Sequence, residues 1–267
     1  MAEDPYPILQ ERHGDVALLR LNVPQRLNPL TVPLQQALRE ALAALREDRS
    51  VRALVLTGAG RSFCVGADLS SMQPQAGASL GAWTQETMET LTNPLVMDLR
   101  TLPFPVVSAV NGPCAGAGVG LALAADLVLA ARSAYFLLPF VPRLGIVPDA
   151  GSSWFLERFA GRARATGLTL TGDRLGAEQA ARWGLVWDCV DDEQMPQAGL
   201  ALAERLARLP AHAALEVRRL YDAAGSQDLP AQLQLEAQRQ GELIDGASFA
   251  EGVQAFLDKR EPRFAPR

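Results

Sequence analysis

The chain has 267 residues, 48% of them apolar, enough to bury the core of one large domain. A net charge of −5 argues against nucleic acid as a partner, and a single lysine, Lys259, leaves little material for Schiff-base or phosphate-loop chemistry. Three scattered cysteines (Cys64, Cys114 and Cys189) and two distant histidines (His13 and His212) argue against a disulfide framework, a metal site or a histidine-based triad.

In chain order, the MAEDPYP start is acidic and broken by proline, so it does not read as a signal peptide. Residues 8–13 and 15–22 predict a hairpin around Gly14. Thr31 is a candidate cap for a helix carrying Leu34, Leu38, Leu42 and Leu45 at helical spacing. ALVLT at 53–57 predicts a buried strand, and residues 58–81 a long irregular stretch of the kind that is functional or mobile in a compact domain. A helical pattern returns over 84–101 with Met88, Leu91, Leu95 and Leu99, until Pro103 and Pro105 end it.

Residues 106–110 predict a second buried strand, followed by a glycine-rich turn, a helix near 117–125, and strands at 127–131 and 134–138. The longest apolar run, 119–131, is interrupted by Asp126 and too short to span a bilayer, so a soluble, cytoplasmic protein is expected. Beyond Asp149 the pattern is helical except for a strand-like GLVWDCV at 184–190, with last helices near 193–208, 211–224, 231–244 and 249–257. The fold class is α/β, with a core over 1–200 and a helical segment over 201–267.

Three pieces carry chemistry. Gly116-Ala117-Gly118 falls between a strand and a helix, where unpaired first-turn amides and the helix dipole suit an oxygen gaining negative charge. Alone, it reads more simply as a tight strand-to-helix turn; as a dinucleotide fingerprint it fails, because the third glycine would fall at Leu121. RSFCVGADL at 61–69 is a second such turn, in which Val65-Gly66 offers another amide or Asp68 bonds its own backbone. Asp149 follows Pro148, and by position alone it is a cap for a helix starting at Ala150.

Read together, RSFCVGADL, NGPCAGAGVGLALAADLVLAARSAYF and LGIVPDAGSSW resemble the crotonase, or enoyl-CoA hydratase/isomerase, superfamily. LTGDRLGAEQAARWGLV and FLDKREPRF extend the resemblance over about residues 16–264. It implies a spiral of ββα units with a helical C-terminal trimerisation segment, and an acyl-CoA thioester substrate with no separate cofactor. It also implies that the Val65 and Ala117 amides hold the thioester oxygen and that Arg26, Ala67, Asp68 and Leu69 lie near coenzyme A. Phe256 and Lys259 would reach the nucleotide of a neighbouring copy in a homotrimer or dimer of trimers.

The departures sharpen this reading. The two glutamates of typical hydratases correspond to Gly120 and Phe140 here, neither of which can transfer a proton. Asp149 stands where isomerases of the superfamily place an aspartate, and this resemblance reverses the capping interpretation. One carboxylate and an oxyanion hole suffice to move a double bond, whereas hydration needs water activation and proton delivery. Phe140 and Trp154 are expected to make the pocket dry, raising the pKa of Asp149. The expected activity is therefore acyl-CoA isomerisation. PDAG, ARSAYF and ARWGLVWDCVDDE resemble the branch acting on a ring epoxide of phenylacetyl-CoA. The rivals are an enoyl-CoA hydratase and a CoA-binding paralogue without useful turnover.

Overall fold

Leu34, Leu38, Leu42 and Leu45 all face inward on α1 (Val32–Glu47), and the Leu34 amide donates to the Thr31 hydroxyl at 3.3 Å, as the capping pattern predicts. The computed structural model describes residues 6–70, 72, 77 and 79–265. β1 (Ile8–His13) and β2 (Val16–Leu21) form the expected antiparallel hairpin, with His13 opposite Val16. β3 (Ala53–Gly58) pairs parallel to β2, and β4 (Val106–Val110) parallel to β3. Both β3 and β4 are buried throughout, which is why they read as continuous apolar runs rather than alternating ones.

A repeat emerges from β4 onward. β5 (Cys114–Ala115) leaves the main sheet, and α4 (Ala117–Leu123) follows it. β6 (Leu127–Ala131) then pairs parallel to β4, and β7 (Tyr135–Leu137) pairs parallel to β5. The previous turn of chain joins the same pattern, because Cys64 bridges Cys114 in parallel. Each unit thus gives one strand to a six-stranded sheet, a short one to a second sheet, and then a helix. The second sheet is completed by β8 (Leu175–Gly176), antiparallel to β7, and the main sheet by β9 (Asp188–Val190) beside β6.

The helix expected over 84–101 begins earlier, because Ser79 caps it by accepting from the Ala82 amide at 3.1 Å. It runs as α2 (Leu80–Thr87), a wide π-helical turn (Met88–Thr92) and α3 (Asn93–Arg100). After Asp149 come α5 (Ser152–Ala160), α6 (Arg162–Thr171) and α7 (Ala177–Arg182). The strand expected at 184–190 is shorter, because Gly184 and Leu185 bond back to Ala181 and Ala180 and finish α7.

α8 (Met195–Ala207) packs on the main sheet, and its Gly199 lies against Ala109 and Val55. The expected division at residue 200 therefore falls inside a helix that covers the core. α9 (Ala213–Ala224), α10 (Leu229–Ile244) and α11 (Ala247–Leu257) complete the chain. Among the described residues no helix is long and apolar enough to cross a membrane.

Candidate active site

The Gly66 turn and the start of α4 are pressed together. Gly66 has φ +83°, and a Cβ there would lie 2.8 Å from the Ala115 oxygen and 3.0 Å from the Ala117 nitrogen. Only glycine permits that approach. The Ala115 amide donates to the Cys64 oxygen and the Gly116 amide to the Leu137 oxygen, both at 2.9 Å, which threads β5 between the two flanking segments. Among the described residues, the Val65 and Ala117 amides have no protein acceptor. Ala117 is the first residue of α4, where amides have no intrahelical partner.

Val65 and Ala117 line one cavity of about 320 Å³, together with Phe140 and Asp149. Among the described residues lining it, only Asp68 and Asp149 carry ionisable side chains. Asp68 is engaged: it pairs with Arg26, and it accepts from the Ser70 amide at 3.2 Å and the Ser70 hydroxyl at 2.6 Å. Asp149 is different. Its Oδ1 is buried without a hydrogen-bond partner among the described residues, and burial pushes its carboxyl up to about 6. A carboxylate in that range is poised to exchange protons near neutral pH.

Capping does not explain Asp149. α5 starts at Ser152 rather than at Ala150, with Gly151 as its cap residue, and no side chain caps it. Only the Asp149 main-chain oxygen serves the turn, accepting from the Ser152 amide at 2.9 Å. Ala150 is left-handed at φ +49°, a strained conformation for alanine. Its carbonyl occupies the space a side chain at residue 120 would need, since a Cβ on Gly120 would lie 2.1 Å from it. Helix α4 and the Asp149 turn therefore meet backbone to backbone at Gly120.

Other expected residues separate. Ala67, Asp68 and Leu69 line the cavity, whereas Arg26 lies behind them and is tied to the cavity through its ion pair with Asp68. Trp154, expected in the pocket, does not line it. Because α5 begins two residues late, Phe155 and Leu156 face the core, and Trp154 lies 36% exposed with the Arg158 guanidinium 3.8 Å over its ring. Phe256 and Lys259, on and just after α11, do not line the cavity of their own chain. Burial raises the Cys64 thiol to about 12, so the cysteine beside Val65 is no nucleophile at neutral pH.

The side chains that hold these loops do not stand out in the sequence. Asn28 is fully buried, donates to the Ala59, Ser62 and Phe63 oxygens at 3.0, 2.9 and 3.2 Å, and accepts from the Val23 amide at 2.8 Å. Asn111 accepts from the Gly58 amide at 3.1 Å and donates to the Gly60 oxygen at 2.9 Å. Gln35 is buried in the cavity wall. The available signal was an asparagine or glutamine amid apolar residues, which marks a backbone staple only after the loops are placed.

Residues 11–267 match the enoyl-CoA hydratase/isomerase family, and the chain belongs to it. It is 45% identical to a probable enoyl-CoA hydratase of Rhodobacter capsulatus, over 98% of this chain and 99% of that protein. It is 44% identical to the 1,2-epoxyphenylacetyl-CoA isomerase of Escherichia coli strain K12, over 96% and 97%. Among solved structures, an enoyl-CoA hydratase from Polaromonas sp. JS666 superposes with a TM-score of 0.90 at 32% identity, covering 97% of this chain and 99% of that one. The fold is that of the crotonase-type enzymes, and the chain is an enzyme of this family.

Proposed function

We propose that this enzyme is an acyl-CoA isomerase in which Asp149 is the acid–base group and the Val65 and Ala117 amides hold the thioester oxygen. One observation carries the reading: among the described residues, Asp149 is the one ionisable side chain of the cavity that is not held by an ion pair, and it is desolvated. For a β,γ-unsaturated acyl-CoA, the Asp149 carboxylate removes a proton from C2. The electron pair moves into the C=O, and the two amides stabilise the enolate oxygen. Return of the same proton to C4 gives the α,β-unsaturated isomer, with no atom gained or lost.

The preferred substrate is a ring-1,2-epoxide of phenylacetyl-CoA, rearranged to the seven-membered oxepin. The 44% identical relative named for that substrate supports this choice. The same proton transfer next to the polarised thioester would assist ring opening, and the product is again an isomer. Ala67, Asp68, Leu69 and Arg26 would face coenzyme A, which enters as part of the substrate; no separate cofactor is used. Phe256 and Lys259 would meet the coenzyme A of a neighbouring copy in a cytoplasmic trimer or dimer of trimers. Their support is a C-terminal surface on which Phe256 is 83% exposed.

The rival is hydration, which the printed name of the 45% identical relative suggests. Against it stand Gly120, which has no room for a side chain, and Phe140, which has no proton to transfer. The test follows both reactions by mass spectrometry, with crotonyl-CoA, a 3-enoyl-CoA and the ring epoxide as substrates. The expected result is isomerisation far faster than water addition. Comparable rates would overturn the assignment. Binding of coenzyme A with no turnover of any substrate would favour a paralogue without useful catalysis.

A further inference from the structure

The wall of the cavity formed by the π-helical turn is tied to the Gly66 loop through one buried side chain. Gln35 on α1 is 3% exposed and Thr92, the last residue of that turn, is 8% exposed; both line the cavity. The Thr92 hydroxyl donates to Gln35 Oε1 at 2.8 Å, and Gln35 Nε2 donates to the Leu30 oxygen at 3.0 Å. The Leu30 amide in turn donates to the Gly66 oxygen at 2.8 Å. Gly66 is the residue wedged against Ala115 and Ala117. The series Thr92, Gln35, Leu30, Gly66 therefore runs from the part of the wall where an acyl group would pack to the junction of the two free amides.

Its make-up argues that it is more than filling. An apolar side chain would occupy the same space beside Leu34 and Leu38 without the cost of burying an amide. A π-turn interrupts an otherwise regular helix and is frequently found where function requires it. Here it puts the Thr92 hydroxyl opposite Gln35. Hydrogen bonds in sequence inside a buried wall reinforce one another, and removing one member leaves its neighbour unsatisfied.

We propose that Gln35 is a positioning residue for the oxyanion site: it transmits the seating of the acyl group, felt at Thr92, to the loop that carries the Val65 amide. The inference rests on the thioester reading above. It makes remote packing of the acyl group raise the polarisation of the carbonyl, so that a bulky acyl group gains in turnover over a short one.

The test uses the full-length protein, with Gln35→Met and Thr92→Val as near-isosteric variants and Thr92→Ser as the conservative control. Infrared difference spectra of bound carbonyl-labelled phenylacetyl-CoA and butyryl-CoA read polarisation directly, without turnover. In the wild type the carbonyl stretch falls below its value in water, more for phenylacetyl-CoA than for butyryl-CoA. In Gln35→Met and Thr92→Val that difference between the two thioesters is lost, and Thr92→Ser restores it. With a bulky 3-enoyl-CoA, kcat falls about 10- to 100-fold in Gln35→Met with little change in KM, while a short 3-enoyl-CoA is affected less.

Wild-type polarisation that survives undiminished in the variants overturns the role of Gln35 and leaves the thioester reading standing. A wild type that does not shift the carbonyl at all overturns both. If Gln35→Met does not fold, Thr92→Val decides, because it removes a single hydroxyl and keeps the shape.

Discussion

The site region and the C-terminal helices of this chain are built on opposite principles. Around α4, loops are held by backbone contact: Gly66 against Ala117, Gly120 against Ala150, with Asn28 and Asn111 satisfying the carbonyls and amides left over. In α10 and α11 apolar side chains point away from the core: Leu229 is 69% exposed, Phe256 83% and Leu257 67%. α9 is the transition between them. Its Arg218 is buried, pairs with Asp126 at 2.6 Å and donates to the Phe104 oxygen at 3.0 Å, tying that helix to the sheet. Beyond it, Leu243, Phe249, Val253, Phe256 and Phe264 line a groove of about 400 Å³ on the surface. Around the site, Gly66, Gly118 and Gly120 have no room for even a Cβ, whereas the C-terminal segment has apolar surface to bury against something else.

The largest expected effect comes from removing the carboxylate that this close packing encloses. Asp149→Asn should lower turnover about 10²- to 10⁴-fold, the usual contribution of a general acid–base group. The Asp149 side chain caps nothing, so α5 and the binding of coenzyme A should be preserved. Steady-state kinetics beside coenzyme A titration checks this; near-normal turnover would place the base elsewhere.

Gly120→Ala breaks the same half without touching any reacting group. The new methyl collides with the Ala150 carbonyl and must push the Asp149 turn outward. Overpacking of this kind costs about 1–3 kcal/mol, and the displaced carboxylate should lower turnover by at least about tenfold. Light scattering should show an unchanged oligomeric state, because the C-terminal surface is not involved. A melting curve and turnover equal to wild type would show that the turn has room to spare.

Phe256→Asp inverts the comparison. Burying a phenylalanine at an interface stabilises it by about 1.5–3 kcal/mol, so an aspartate there should shift a trimer toward monomer by about tenfold or more. The cavity lining of the same chain should be unaffected, and activity should fall both through dissociation and through loss of the contact to a neighbour's coenzyme A. A protein that is monomeric before the substitution would remove the reason for the exposed surface.

The smallest effect is on stability with pH. The Asp149 carboxyl rises from 3.8 to about 6 in the folded state, so the native protein binds more protons than the unfolded chain between those values. Its contribution is most favourable below about pH 4 and declines as pH rises to about 6. Asp149→Asn should therefore be more stable than wild type at pH 8, by about 1–2 kcal/mol after allowing for partial solvation, with the gap closing below pH 4. Denaturant melts at several pH values give the sign. In parallel, kcat/KM of the wild type should rise through about pH 6 and level off, because the base works ionised.

By itself the sequence determined the elements and the chemistry-bearing pieces. Leu34, Leu38, Leu42 and Leu45 specify a helix through their 3.6-residue spacing, and buried parallel strands announce themselves as apolar runs. The motifs around Val65, Ala117 and Asp149 were legible because a turn that needs glycine advertises it locally.

Only the tertiary structure decided where these pieces meet. It placed Asp149 in the cavity of Val65 and Ala117, turned Trp154 out of it, started α5 at Ser152 rather than Ala150, and put α8 on the sheet. It also revealed Asn28 and Gln35 as staples. The physical reason is range. Periodicity and capping are set by neighbours within a few residues, but the fit of Ala150 against Gly120 or of Gln35 against Thr92 depends on chain far away in sequence. The pKa of Asp149 is likewise a property of the solvent that the assembled walls exclude.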